Sequence, residues 1–77
     1  MMTKEQFLEL IKTELKETGT IELDTNFKQL ENYGSLSAVL ILQLVEDNFD
    51  VKINPRSFRS INTINDLVNA IGENQFK

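Results

Sequence analysis

The chain has 77 residues, 40% of them hydrophobic, which suits one small globular domain spanning residues 1–77 and leaves no material for a second core. It contains neither cysteine nor histidine, so disulfides, thiolate zinc sites and histidine-dependent catalytic sets are excluded, and an enzyme is the least expected class. A net charge of −4 disfavours nucleic acid as a binding partner. No apolar run is long enough to suggest a membrane span or a signal peptide. We therefore expect a cytoplasmic protein, and we expect it to be a monomer.

The first predicted helix begins at Thr3, because Gln6 follows at the spacing of a capping box. Its apolar residues fall on one face at helical spacing, namely Phe7, Leu8, Ile11 and Leu15. We expect the helix to end at residues 17–19, where Thr18-Gly19 provides a stop signal.

Residues 19–34 show no helical period and predict a long loop between the first two helices. Apolar anchors are spaced along it, at Ile21, Leu23, Phe27 and Leu30. A loop of this length in so small a domain is expected either to be pinned by such anchors or to serve a function. The sequence leaves both possibilities open.

The segment from Ser35 to about Asn48 predicts the second helix, with Ser35 in a position suited to an N-cap. A stripe of apolar residues predicts its buried face, namely Ala38, Ile41, Leu42, Val45 and Phe49. Leu36, Val39 and Leu40 lie on the other side of the helix, among polar residues. These three are interpreted either as ordinary surface hydrophobics, or as covered by the loop, or as a partner-docking face.

Asn54-Pro55 predicts the cap and first residue of a short third helix that reaches residue 58 or 59. Thr63 and Asp66 repeat the capping spacing before a fourth helix that ends at Gly72. The chain is therefore predicted to be all-α, a small four-helix bundle of three longer helices and one short one.

The structured part of this bundle is predicted to span about residues 3–72, with a frayed tail after it. The predicted core consists of Phe7, Ile11, Leu15, Phe27, Ile41, Leu42, Val45, Phe49, Ile53, Ile61, Ile64, Leu67, Val68 and Ile71.

Several residues at fixed spacing resemble a known family. The chain reads Gly34-Ser35-Leu36, followed by Val39, Ile41, Leu42, Val45, Glu46, Phe49 and Ile53; Phe27 lies eight residues before Ser35, and Ile61-Asn62-Thr63-Ile64 precedes the last helix. This pattern resembles the acyl and peptidyl carrier proteins, whose Asp-Ser-Leu motif opens the second helix. The resemblance runs without a gap over about residues 24–71.

The resemblance implies a carrier that holds acyl or aminoacyl groups as thioesters on a 4′-phosphopantetheine arm attached to Ser35. It implies a phosphopantetheinyl transferase and acyl- or aminoacyl-loading and processing enzymes as partners, with no catalytic or metal-binding residue. The cargo stays open among fatty acids, polyketides and amino acids. The family's aspartate is replaced by Gly34, which favours an alternative, an unmodified carrier-like protein that acts as an adaptor.

The predicted docking residues lie on the second and third helices. They are Leu36, Val39, Leu40, Gln43, Glu46 and Asp47, with Arg56 and Arg59 on the third helix. From charge alone, the carboxylates here either form a solvated face or steer partners. The two arginines could neutralise them within the molecule. A helix-turn-helix nucleic-acid domain is a further alternative, disfavoured by the net charge of −4.

Overall fold

The computed structural model describes residues 2–77, which form a bundle of four α-helices. The helices are α1 (Lys4–Glu14), α2 (Ser37–Phe49), α3 (Pro55–Phe58) and α4 (Ile64–Ile71), with short 3₁₀ helices at Phe27–Gln29 and Glu73–Gln75. The β-pairing within these residues is an isolated bridge between Asn26 and Thr63. The predicted all-α fold, with three longer helices and one short one, is confirmed.

The predicted N-terminal caps form as the sequence indicates. Thr3 accepts the backbone N–H of Gln6 at 3.1 Å, and the Gln6 side chain accepts the N–H of Thr3 at 2.8 Å. Thr63 and Asp66 form the same reciprocal pair at the start of α4. Because these bonds lie within one turn, they can be predicted from local sequence.

The end of α1 differs from the prediction. The helix ends at Glu14, one turn before Thr18-Gly19, because Lys16 adopts a left-handed conformation with φ 56°. The N–H groups of Lys16 and Glu17 then bond back to carbonyls of the last turn, at 3.1 and 3.0 Å. This is the bonding of a Schellman end, with lysine where glycine is usual.

The buried face of α2 is rotated from the predicted one. Leu44 is buried, whereas Leu42 and Phe49, which were predicted for the core, are only partly buried. α1 packs beside α2, where Leu10 and Leu44 line the same groove, which turns the buried stripe toward Leu44. The other buried hydrophobics that the prediction omitted are Ile21, Phe58 and Phe76.

The tail is packed rather than frayed, so the predicted limit of residues 3–72 is too short. Phe76 is 7% exposed, and its ring centroid lies 5.4 Å from that of Phe7 and 5.0 Å from that of Phe49. The N–H of Lys77 also donates to the carbonyl of Met2 at 3.1 Å. One aromatic residue near the end of the chain is therefore enough to dock the last turn against α1 and α2.

The loop between α1 and α2 is pinned to the rest of the bundle. Phe27 is fully buried, and its N–H donates to the carbonyl of Asn62 at 3.1 Å. The Nζ of Lys28 donates to the carbonyl of Phe58 at 2.7 Å and lies 4.5 Å from the Phe58 ring centroid. The loop is thus fixed against α3 and the start of α4, and it delivers the following turn to one end of α2.

Candidate functional site

Ser35 lies in the turn between the pinned loop and α2, and its side chain is exposed. No hydrogen bond within residues 2–77 occupies its hydroxyl. The backbone at this point is held instead by its neighbours, since the N–H of Ser37 donates to the carbonyl of Gly34 at 3.0 Å. The turn therefore presents Ser35 to solvent with a free hydroxyl.

Ser35 does not cap α2, contrary to the sequence prediction. The helix begins two residues later, at Ser37, with Leu36 in the cap position. Ser37 is 7% exposed, and its Oγ accepts the N–H of Gly34 at 2.8 Å. Ser37 thus stabilises the turn, a role that sequence spacing alone did not distinguish from that of Ser35.

The N-terminus of α2 is open to an anion. Leu36 offers no side-chain acceptor to the first N–H groups of the helix, and the first turn carries no acidic residue. The N–H of Ser37 is bonded to Gly34, so the N–H groups of Ala38 and Val39 and the positive end of the helix dipole remain for an anion near Ser35. A phosphodiester on the Ser35 hydroxyl fits this environment, because phosphate groups bind at helix N-termini.

Gly34 is not required by the backbone or by space. A Cβ added to it would meet no atom within 4 Å, and its φ lies outside the left-handed region. Aspartate could therefore stand before Ser35 without strain. With glycine at this position, the turn lacks the carboxylate of the family motif. Neither the backbone conformation nor the available space explains why a glycine is present.

Three large hydrophobic side chains are exposed on α2, next to Ser35. Leu36 is 72% exposed, Val39 61% and Leu40 43%, and they are the exposed large hydrophobics of residues 2–77. We call these three residues the apolar patch. The structure shows that the loop does not cover them, while their role in docking stays a prediction.

A groove of about 380 Å³ continues from the apolar patch toward α3. It is lined by Val39, Leu42, Gln43, Glu46, Lys52, Ile53 and Pro55. Gln43 donates to the carboxylate of Asp47 at 2.9 Å on the same helix. The groove thus brings predicted docking residues of α2 beside the start of α3.

The ion pair observed near this groove involves Lys52, whereas the sequence suggested Arg56 and Arg59 as partners of the α2 carboxylates. Glu46 lies 3.7 Å from Lys52, and both side chains are solvated. Arg56 and Arg59, which could have neutralised the α2 carboxylates, form no ion pair within the part of the chain that the structure describes. The arginines are therefore available to solvent or to a partner.

A second groove, of about 510 Å³, lies between α1 and α2. Its lining includes Met2, Leu10 and Leu44, and none of the predicted site residues. This groove could not be predicted from the sequence, because it depends on how the two helices pack.

Tyr33 is the titratable residue nearest to Ser35 in the sequence. Tyr33 packs edge-on against Phe27, with ring centroids 5.9 Å apart, and burial raises the pKa of its phenol, which stays neutral at neutral pH. Within residues 2–77 no cluster of three or more metal-ligating side chains occurs, and no helix is long and apolar enough to cross a membrane. The arrangement can hold and display a modified serine.

A family model described as "Phosphopantetheine attachment site" matches residues 5–71 of the chain. The chain belongs to this family of carrier proteins. The relatives of this carrier include proteins named acyl carrier protein from Aster yellows witches'-broom phytoplasma (strain AYWB) and Onion yellows phytoplasma (strain OY-M). Each is 34% identical over 74 residues, covering 95% of the chain and 97% of the relative. No solved structure matches the chain significantly.

Membership establishes the cofactor and the kind of function. The cofactor is covalently attached 4′-phosphopantetheine, and the protein is a carrier that bears it, so the predictions of family, cofactor and carrier function are confirmed. The adaptor alternative is not favoured. The exposed hydroxyl of Ser35 and the open N-terminus of α2 suit this cofactor.

Proposed function

We propose that Ser35 is the attachment residue and that the arm carries acyl groups, with aminoacyl groups as the alternative cargo. The observation that supports Ser35 is its exposed, unbonded hydroxyl beside the open N-terminus of α2. Ser37, the neighbouring hydroxyl, is buried and bonded to Gly34. Acyl cargo is supported by the two relatives named acyl carrier protein.

When bound, 4′-phosphopantetheine supplies a thiol on which cargo is held as a thioester. The chain's own residues have simpler tasks. The Gly34–Ser37 turn holds the backbone of Ser35, and the N-terminal end of α2 favours a negative charge beside it. The protein performs no reaction itself, and bond making and breaking belong to the enzymes that it visits.

Those partners are a phosphopantetheinyl transferase and enzymes that load and process the acyl or aminoacyl group. We propose that they dock on the apolar patch, which lies within five residues of Ser35 and is exposed. The polar side chains of Gln43, Glu46 and Asp47 would form one rim of that interface, and those of Arg56 and Arg59 the other. We expect the carrier to meet these enzymes in the cytoplasm as a monomer.

The experiment is co-expression with a broad-specificity phosphopantetheinyl transferase, followed by intact-mass measurement. The wild type should gain one phosphopantetheine mass and Ser35→Ala none. Ser37→Ala is the matched control, because it removes a hydroxyl two residues away and should keep the modification. Circular dichroism of both variants verifies that they remain helical.

The variant Gly34→Asp tests whether the missing carboxylate limits modification of Ser35. The position has room for the side chain, and a carboxylate there should speed modification by giving the transferase an anionic contact. Modification of Gly34→Asp but not of the wild type would mean that the chain keeps the carrier fold and has lost the carrier function. Modification that persists in Ser35→Ala would move the site to another hydroxyl.

A further inference from the structure

Positive charge is concentrated on the segment that contains α3. Residues 51–63 include Lys52, Arg56 and Arg59 and no acidic residue, although the chain as a whole has a net charge of −4. This segment therefore attracts anionic groups, in contrast to the acidic chain as a whole.

The two arginines are the available charges of this segment. Lys52 lies 3.7 Å from Glu46, and Lys28, which approaches from the loop, donates to the carbonyl of the last α3 residue at 2.7 Å. Arg56 and Arg59 are exposed and take no ion pair within residues 2–77. Their guanidinium groups are therefore free to bind carboxylates.

The backbone that carries the two arginines is held in a defined position. The side chain of Asn54 accepts a hydrogen bond from the N–H of Arg56 at 2.7 Å. Phe58 is buried, and the Nζ of Lys28 lies over its ring. Arg56 lies in α3 and Arg59 is its C-terminal cap with helical backbone angles, so the two residues, three apart, are neighbours on one side of this turn. A fixed backbone lowers the entropy lost when a partner binds.

α3 also lies within reach of any protein that acts at Ser35. Val39 of the apolar patch and Pro55 of α3 line the same groove. A typical interface covers about 800 Å² of each partner. That area is comparable with one whole side of a molecule measuring 30 × 26 × 20 Å. An enzyme that covers the apolar patch would therefore cover α3 as well.

We propose that the phosphopantetheinyl transferase that modifies this chain presents carboxylates to Arg56 and Arg59. The inference rests on the proposed carrier function and adds the chemistry of the partner surface. A protein is favoured over a membrane or a nucleic acid because Glu46 lines the same groove as Pro55 at the start of α3, and Asp47, which accepts a hydrogen bond from Gln43 of that groove, follows it on α2. A uniformly anionic surface would be repelled by these two carboxylates, whereas a protein can place carboxylates opposite the arginines alone.

The test uses the transferase of the organism that encodes this chain and measures the KM for the chain as substrate. Arg56→Glu and Arg59→Glu should each raise KM about three- to tenfold at low salt, because attraction becomes repulsion at the interface. The increase should shrink at high ionic strength. Lys77→Glu is the matched control, since it changes the net charge equally at a site away from α3, and its KM should stay within about twofold of wild type.

The sign of the effect decides the proposal. A lower KM for the two arginine variants would show that the transferase surface is basic and would overturn the inference. An unchanged KM would place α3 outside the interface, with the same consequence. A last outcome is tight binding of the wild type to duplex DNA or to vesicles of equal parts phosphatidylcholine and phosphatidylglycerol. If Arg56→Glu abolishes that binding, the surface binds a polyanion and the inference is overturned.

Equilibrium binding separates this inference from the carrier function. The Ser35→Ala chain cannot be modified at that residue, so its affinity for the transferase reports docking alone. Weaker binding of Ser35→Ala/Arg56→Glu than of Ser35→Ala would support the inference even if the wild type were never modified. Equal binding of the two, with the wild type modified normally, would overturn the inference and leave the carrier function intact.

Discussion

Phe76→Ala tests whether the tail is part of the core. The Phe76 ring is 7% exposed and contacts the rings of Phe7 and Phe49, with centroids 5.4 and 5.0 Å away. Burial of a phenylalanine side chain contributes about 1.5–3 kcal/mol, and each aromatic pair adds about 0.5–1.5 kcal/mol. Because the chain end can relax into the space left behind, we expect a loss of about 2–4 kcal/mol.

That loss is a large share of the roughly 4–12 kcal/mol expected for a domain of this size. Urea unfolding followed by circular dichroism measures it, and the Tm should fall by on the order of 10–25 °C. Asn74→Ala, an exposed change in the same turn, should alter stability by less than about 0.5 kcal/mol. If Phe76→Ala costs no more than Asn74→Ala, the tail is not packed and the aromatic contacts do not form in solution.

Three further predictions concern α2, the patch and pH. Val45→Ala should cost about 2 kcal/mol in urea unfolding while exposed Gln43→Ala is near neutral, and equal costs would mean that the buried face is misplaced. Val39→Glu should leave Tm within a few degrees yet weaken transferase binding by over about 1 kcal/mol by calorimetry, and unchanged affinity would remove Val39 from the interface. The backbone N–H groups of Asn62 and Thr63 lower the pKa of Asp66 from 3.8, so its stabilising effect should be lost as pH falls through that lowered pKa. Asp66→Asn should flatten stability between about pH 5 and pH 2, and a pH dependence as steep as that of the wild type would contradict the assignment.

Features set by neighbouring residues could be predicted from the sequence. Thr3 with Gln6, Asn54 with Arg56 and Thr63 with Asp66 form hydrogen bonds within one turn, so local residue types and spacing were sufficient to predict these caps. The amphipathic period of α4 was equally clear, since its buried residues are the predicted ones.

Features set by distant contacts could not be predicted. The left-handed Lys16 ends α1 early, although lysine carries no signal for that conformation. The rotation of α2 toward Leu44 depends on where α1 packs, and the docking of Phe76 depends on two rings far away in sequence. A lone aromatic residue in a polar tail does not reveal such partners.

The candidate site was predicted in part. The resemblance selected Ser35, and the structure adds that its hydroxyl is free because Ser37 stabilises the turn. The helical period placed Leu36 and Val39 on the solvent side, which is where they lie. The pairing of Lys52 with Glu46, and the lack of an ion pair for Arg56 and Arg59 within residues 2–77, could be seen only in the three-dimensional arrangement.

The most direct test of the central claim is the mass of the protein purified from its native host. Intact-mass measurement followed by peptide mapping locates any modification on the chain without an added transferase. We expect a species heavier by one phosphopantetheine, with the added mass on the peptide that contains Ser35 and on its hydroxyl. A protein recovered wholly at its unmodified mass, or with the added mass on Ser37, would contradict the central claim.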